Sequence, residues 1–215
     1  KSLLAAWRLQ PHPECELTIL SRNPERFLLK FPEFSALPHV RFLKGDVRNF
    51  TFPTTPFDEV IHAATPASAT LEQENPEEMY SIIVEGTRHV INFCRKSGVQ
   101  RMLFTSSGAV YGPQEPECER LAETHPCRPV TAYGKGKLAA EQLCLESGIP
   151  TVIARCFAFI GPYLPLDIHF AAGNFLRDAL ENRPIVIRGD GRPLRSYLHS
   201  DDLIRFLWKL LETGA

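Results

Sequence analysis

Short apolar runs alternate along the chain with longer stretches in which apolar residues recur every three or four positions. The runs at 16–20 (ELTIL), 39–47 (HVRFLKGDV), 58–65 (DEVIHAAT), 101–107 (RMLFTSS) and 151–157 (TVIARCF) are strand-length and bounded by turn residues. Between them, 76–97 places Met79, Ile82, Ile83, Val90, Ile91 and Cys94 mostly three, four or seven apart and ends at Gly98, which predicts a helix. Residues 131–146 predict another. The opening KSLLAAWRLQ reads as an amphipathic helix without a capping residue, so a preceding segment is expected. SRNPERF reads as a turn, because Pro24 interrupts regular structure.

Strand and helix in alternation indicate parallel strands joined by helical crossovers, covered on both faces. The expected fold is therefore α/β, a doubly wound parallel sheet over residues 1–157. Beyond Gly161 the texture changes to a proline-containing loop, a helix at 174–182, a strand in PIVIR, a GDG turn and a final helix capped by Ser200. Residues 158–215 are expected to begin a smaller substrate-binding lobe, interleaved with the first domain and only partly represented.

Composition narrows the function classes. The 215 residues carry 24 Lys plus Arg against 25 Asp plus Glu, a net charge of -1, and are 44% hydrophobic. A near-neutral chain offers no broad attraction to nucleic acid or anionic lipid, and no apolar run is long enough to span a membrane. Cys15, Cys94, Cys118, Cys127, Cys144 and Cys156 include no C-x-x-C pair, which favours a reduced, cytoplasmic setting over a zinc or disulfide framework. His169 and His199 form no metal-ligand spacing with acidic neighbours, and no metal site is expected.

In a doubly wound sheet ligands bind beyond the carboxyl ends of the strands. Ser106 and Ser107 end one predicted strand, and Tyr133 and Lys137 lie four apart, on one face of the next helix. A lysine ammonium beside a tyrosine favours the phenolate, making a base usable near neutral pH, while a serine hydroxyl can bind the same substrate oxygen. Such a trio removes a proton from an alcohol as a cofactor takes the hydride. An isolated Y-x-x-x-K pair is more often an ordinary surface pair.

Here the pair is not isolated. With GDVRNF, VIHAATPA, the long VEGTRHVINFCRKSGVQRMLFTSSGAVYG segment, YGKGK, and ARCFAFIGPY followed by IRGDGRPLRSYLHSDDL, the chain resembles extended short-chain dehydrogenase/reductases of the nucleotide-sugar epimerase and dehydratase branch over nearly its whole length. The resemblance implies a Rossmann-like fold, NAD or NADP as cofactor, and a nucleoside-diphosphate sugar as substrate. It makes Ser107, Tyr133 and Lys137 the catalytic residues. Ser21, Arg22, Asp46 (toward adenine), Val47, Ala63, Ala64, Thr65, Thr105, Tyr133, Lys137 (toward the nicotinamide ribose) and Cys156 become the cofactor-binding set. Ser107, Asn174 and Arg195 are assigned to substrate, with Arg188 an additional candidate. A homodimer built on the helices at 76–97 and 131–146 is also implied.

Departures from the family pattern sharpen the reading. The family's opening strand and glycine-rich phosphate turn do not precede KSLLAAW, and are expected upstream of it. Ser21 and Arg22 stand where many NAD-using members place an acidic residue; an arginine there can pair with a 2'-phosphate or stack on adenine, so NAD and NADP both stay open. Ile83 and Ala158 replace two asparagines. Gly108 and Ala109 follow Ser107 where the sugar 4,6-dehydratases carry an Asp-Glu pair, and eliminating water requires an ionisable donor and acceptor. The expected activity is thus a 4-epimerase acting through a transient 4-keto sugar, with a 4-keto reductase or dehydratase as alternatives. A non-catalytic dinucleotide sensor is the alternative of another class. His62 reads as packing, and Asp201 and Asp202 as helix-dipole partners.

Overall fold

The computed structural model describes residues 1–9, 14–65, 68–115, 117–167, 170–187, 189–191 and 195–214. The amino-terminal half runs α1 (Ser2–Leu9), β1 (Leu17–Ser21), α2 (Pro24–Lys30), β2 (Val40–Lys44), β3 (Glu59–His62), α3 (Ala69–Glu74) and α4 (Pro76–Ser97). It continues through β4 (Arg101–Ser107), α5 (Ala132–Leu145), β5 (Thr151–Cys156), β6 (Ala158–Ile160), α6 (Ala171–Leu180), β7 (Tyr197–His199) and α7 (Ser200–Thr213). Every pairing among the described strands is parallel, in three ladders: β1–β2, β3–β4–β5 and β6–β7.

Local chemistry sets the helix ends. Asn75 Oδ1 accepts from Glu78 N at 3.1 Å and Pro76 follows at a position where a missing N–H costs nothing. Gly98 closes α4 at φ 70°, a left-handed conformation that a side chain would oppose. Thr131 caps α5, its Oγ1 accepting from Gly134 N at 3.0 Å. In α2, Pro24 occupies the same favoured first-turn position behind Asn23, whose Oδ1 accepts from Arg26 N at 2.9 Å. Pro24 therefore starts a helix where the sequence suggested only a turn.

Alternation along β4 divides the core. Met102 and Phe104 join Met79, Ile83, Val90, Ile91, Cys94, Ala140 and Cys144 on the face covered by α4 and α5. Leu103 points the other way, to Ile204, Leu207 and Leu211 of α7, with Leu3 and Ala6 of α1 alongside. Met102, Leu103, Phe104, Cys94 and Cys144 are fully buried, which is the two-sided coverage expected of parallel strands.

The ladder β3–β4–β5 is staggered at its carboxyl ends. β3 stops at His62, paired with Phe104, whereas β4 continues through Thr105, Ser106 and Ser107 against Ala154, Arg155 and Cys156 of β5.

The carboxyl-terminal region differs from its sequence reading in three places. Residues 184–187 of PIVIR form no strand; Ile185, Val186 and Ile187 are exposed, and the strand is β7, which pairs with β6. The sixth helix begins three residues earlier than the predicted 174–182, with Gly173 buried against the Pro165 carbonyl. His199, not Ser200, caps α7, its Nδ1 accepting from Asp201 N at 3.3 Å. Ser200 opens the helix, buried where Gly161 lets the backbone approach; a Cβ on Gly161 would lie 2.1 Å from Ser200 Oγ. Asp201 and Asp202 occupy the first turn of α7, as expected. The six cysteines are free thiols. No helix among the described residues is long and apolar enough to cross a membrane.

Candidate active site

β4 and α5 carry the predicted trio to one place. Ser107 is the last residue of β4, and its Oγ accepts from Ala109 N at 3.2 Å, holding the turn Gly108–Tyr111 that follows. Tyr133 lies one residue inside α5 and is half-buried, with the Ser107 hydroxyl as a hydrogen-bond partner of its phenol. Lys137, one turn further, is 2% exposed. Its Nζ donates to Thr65 Oγ1 at 2.9 Å and to the Thr105 carbonyl at 2.6 Å, and sits 4.7 Å from the Phe104 ring centroid and 5.8 Å from that of Tyr133.

Electrostatics here depart from the sequence expectation. Burial raises the Tyr133 phenol above its usual 10, with Ser107 acting against it, and Lys137 does not supply an offsetting depression. Burial also lowers Lys137 to about 8, despite support from Cys156, Cys144 and Glu141. The protein as folded thus makes the ammonium the more acidic of the two. Desolvation is the largest contribution to both shifts, and the ammonium directs hydrogen bonds to Thr65 and Thr105.

Apart from Tyr133 and Lys137 of α5, the residues assigned to the cofactor fall at or near strand ends. Ser21 closes β1 and its carbonyl accepts from Gly45 N at 3.0 Å, which brings the Ser21–Arg22 and Asp46–Val47 pairs together at the ends of adjacent parallel strands. Asp46 accepts from Arg48 N at 2.9 Å and Arg48 Nε at 3.1 Å, which holds its carboxyl below the usual range, and Arg48 continues to Glu78 at 2.9 Å. Arg22 is exposed. Val47 is buried against Gly86, where a Cβ would come within 2.8 Å of it. Ala63 and Ala64 follow β3 with exposed, small side chains, and Thr65 follows them to Lys137. Cys156 ends β5 opposite Ser107, its thiol pushed up by burial.

Asn174 lies in α6, and Arg195 precedes β7 and is exposed. Arg188 and His169 lie outside the described residues. His62 is buried and packs on Phe104. Thr87 Oγ1 donates to the Ile83 carbonyl at 2.7 Å, so it accepts from His62 Nε2 at 2.9 Å, and the ring is neutral with a pKa lowered to about 3 by burial and Lys137. Packing is its role.

Sequence reasoning missed a buried ion pair behind the trio. Glu141, one turn beyond Lys137 and 3% exposed, receives Arg155 Nε at 3.0 Å, Arg155 Nη2 at 2.8 Å, and the Ser106 hydroxyl. Arg155 Nη1 also donates to Tyr111 Oη at 2.9 Å and to the Glu123 carbonyl at 3.1 Å. The pair therefore ties β4, β5, α5 and the Gly108–Tyr111 turn together. Arginine in the middle of an otherwise apolar strand was the available signal. Glu72, on α3, reaches the start of α5 and left no local signal.

The model of the NAD dependent epimerase/dehydratase family matches residues 7–215. The chain belongs to this family. Its members are enzymes, and relatives of known activity bear this out at moderate identity. The chain is 32% identical over 162 residues to UDP-glucuronic acid decarboxylase 4 of Arabidopsis thaliana, covering 72% of this chain and 36% of that protein. It is 28% identical over 165 residues to UDP-glucuronic acid decarboxylase 1 of Xenopus tropicalis, covering 74% and 39%. The chain thus spans little more than a third of these curated relatives. Among solved structures, UDP-N-acetylglucosamine 4-epimerase from Methanobrevibacter ruminantium, in complex with UDP-N-acetylmuramic acid, superposes with a TM-score of 0.85 at 18% identity, over 100% of this chain and 69% of that one. A variant of UDP-glucuronic acid 4-epimerase from Bacillus cereus, bound to NAD and a fluorinated UDP-sugar, gives 0.85 at 23%, over 100% and 70%. These likenesses establish the Rossmann-like fold.

Proposed function

We propose that this chain carries the hydride-transfer site of an NAD(P)-dependent enzyme acting on a nucleoside-diphosphate sugar, and that the reaction is 4-epimerisation through a transient 4-keto sugar. The observation that carries the reading is the convergence of Ser107, Tyr133 and Lys137 at the carboxyl end of β4, beside Gly108 and Ala109, neither of which can ionise. Oxidised nicotinamide, when bound, supplies the hydride acceptor and a local positive charge.

The residues present suit that cofactor. Ser21, Arg22, Asp46 and Val47 would hold the adenosine end, with Arg22 leaving room for NADP as well as NAD. Ala63, Ala64, Thr65, Thr105, Lys137 and Cys156 would receive the nicotinamide half, where small side chains and the buried ammonium favour a ribose. Ser107 donates a hydrogen bond to the sugar O4. With the positive charges of oxidised nicotinamide and of Lys137 drawing its phenol toward the phenolate, Tyr133 would take the O4 proton during oxidation and return it during reduction. Lys137 keeps a positive charge near the ring at neutral pH. Epimerisation requires only that the ketone turn its other face before reduction. Decarboxylation, the activity of the curated relatives, shares the oxidation step, but Gly108 and Ala109 leave no acid directly after Ser107. Asn174 and Arg195 are proposed for the nucleotide and its diphosphate.

The test is incubation of purified protein with NAD or NADP and a panel of UDP- and dTDP-sugars, with products resolved by NMR. A C4 epimer formed without net cofactor consumption is the expected result. Tyr133→Phe should lower turnover by at least ~100-fold with little change in dinucleotide affinity. Stoichiometric oxidation of added NADPH by a 4-keto nucleotide sugar, in a parallel incubation, would instead identify a 4-keto reductase. Dinucleotide binding without any sugar-nucleotide binding would leave only the sensor reading.

A further inference from the structure

The first amides of a helix have no intrahelical acceptor, and a carboxylate placed there satisfies them while complementing the positive end of the helix dipole. At the start of α5 this carboxylate comes from a distant part of the chain. Glu72 of α3 accepts from Ala132 N at 2.7 Å through Oε1 and from Tyr133 N at 2.9 Å through Oε2. With Thr131 Oγ1 taking Gly134 N at 3.0 Å, the amides of Ala132, Tyr133 and Gly134 all end on side-chain oxygens. One of the two Glu72 contacts falls on the backbone of the tyrosine itself.

Glu72 is itself well anchored. Ser68 Oγ accepts from Leu71 N at 3.2 Å at the head of α3, Asn75 N donates to the Leu71 carbonyl at 2.9 Å at its tail, and Leu71 packs against the main core. The same connection supplies Thr65, whose Oγ1 takes the Lys137 ammonium. The segment between β3 and α4 therefore grips α5 twice, one turn apart, at the backbone of Tyr133 and at the side chain of Lys137.

We propose that Glu72 is a positioning residue for Tyr133: its two-oxygen grip fixes the first turn of α5 and so the direction in which the phenol meets Ser107. This rests on the role given to Tyr133 above. A single capping hydroxyl holds one amide and leaves the neighbouring peptide plane free to rock, whereas two oxygens on successive amides restrain it. Alanine at 72 loses both acceptors. Glutamine keeps one, but sets an N–H group against the second amide.

The experiment measures kcat, KM and NAD affinity for wild type, Glu72→Ala, Glu72→Gln and the neighbouring exposed Glu74→Ala. Glu72→Ala should lose on the order of ten- to a hundred-fold in kcat, with NAD affinity and sugar-nucleotide KM within about two-fold of wild type. Glu72→Gln should fall between, and Glu74→Ala should match wild type. Added formate, a carboxylate small enough to reach the freed amides, should restore part of the kcat lost in Glu72→Ala. Unchanged kcat in Glu72→Ala overturns the proposal. A loss shared equally with NAD binding and cooperative unfolding, unresponsive to formate, also overturns it, since it marks a scaffold contact. Wild-type protein that binds NAD but converts no nucleotide sugar overturns the proposed function, and this proposal with it. Active wild type with an indifferent Glu72 overturns this proposal alone.

Discussion

Removing one member of the Glu141–Arg155 pair should cost different amounts according to which member goes. The Glu141 side chain is 4% exposed and that of Arg155 is 24% exposed. Arg155→Met leaves a carboxylate in the interior with, among the described residues, the Ser106 hydroxyl still donating to it, and breaking a buried pair in this way costs about 3 to 5 kcal/mol. Glu141→Leu leaves a guanidinium that keeps Tyr111 Oη, the Glu123 carbonyl and a path to solvent, so about 2 to 3 kcal/mol is expected. The double variant leaves no unpaired charge and should cost less than the two single changes together, with a coupling of roughly 2 kcal/mol or more. Urea unfolding followed by circular dichroism gives all four stabilities. Refutation would be a larger loss from Glu141→Leu than from Arg155→Met, or single effects that add within about 0.5 kcal/mol.

Three further outcomes follow from the same geometry. His62 takes a proton in the unfolded chain near 6.5 but in the fold only near about 3, so stability is complete above 6.5 and is lost as pH falls from there toward 3, by up to roughly 4 to 5 kcal/mol. Acid titration of folding in wild type against His62→Gln measures it, and parallel curves would contradict the assignment. Lys137 is protonated below about 8, so kcat/KM should decline as pH rises through that value; a profile flat to pH 10 would show that its charge is not required. Gly134→Ala would set a Cβ 2.7 Å from the Ala109 carbonyl and 3.0 Å from Pro129, forcing the start of α5 outward. Turnover should fall at least ~10-fold while the unfolding midpoint moves only a few degrees, as measured by steady-state assay and thermal melt.

Elements bounded by strong punctuation were legible before any coordinates. Pro76 and Gly98 mark the ends of α4, Thr131 and Glu146 bracket α5, and β4 occupies its predicted range. The placement of Ser107 at a strand end and of Tyr133 and Lys137 on one helix face was legible from local spacing, whereas reading the three as a catalytic trio took the family resemblance. α2 was hidden because proline breaks helices everywhere except in the first turn, which is where Pro24 stands. α3, at six residues, is too short to display a period. Ile185, Val186 and Ile187 have the branched side chains of a strand, yet among the described residues they pair with nothing and stand exposed, so tertiary context overrode propensity. Glu72 and Glu141 could not be placed, because their partners lie 60 and 14 or more residues away and nothing in the intervening sequence announces the meeting.

The unequal lengths of β3 and β4 have an architectural consequence. Three residues of strand span about 10 Å, so the sheet ends in a stair whose lower tread is His62 and whose upper tread is Ser107. The Lys137 ammonium links the two levels, donating to the Thr105 carbonyl on β4 and to the Thr65 hydroxyl just past β3. How far β4 overhangs β3 is thus a matter of strand arithmetic. An insertion that lengthened β3 would level that step without altering a single side chain beyond it, while larger side chains at Ala63 or Ala64 would crowd its lower tread.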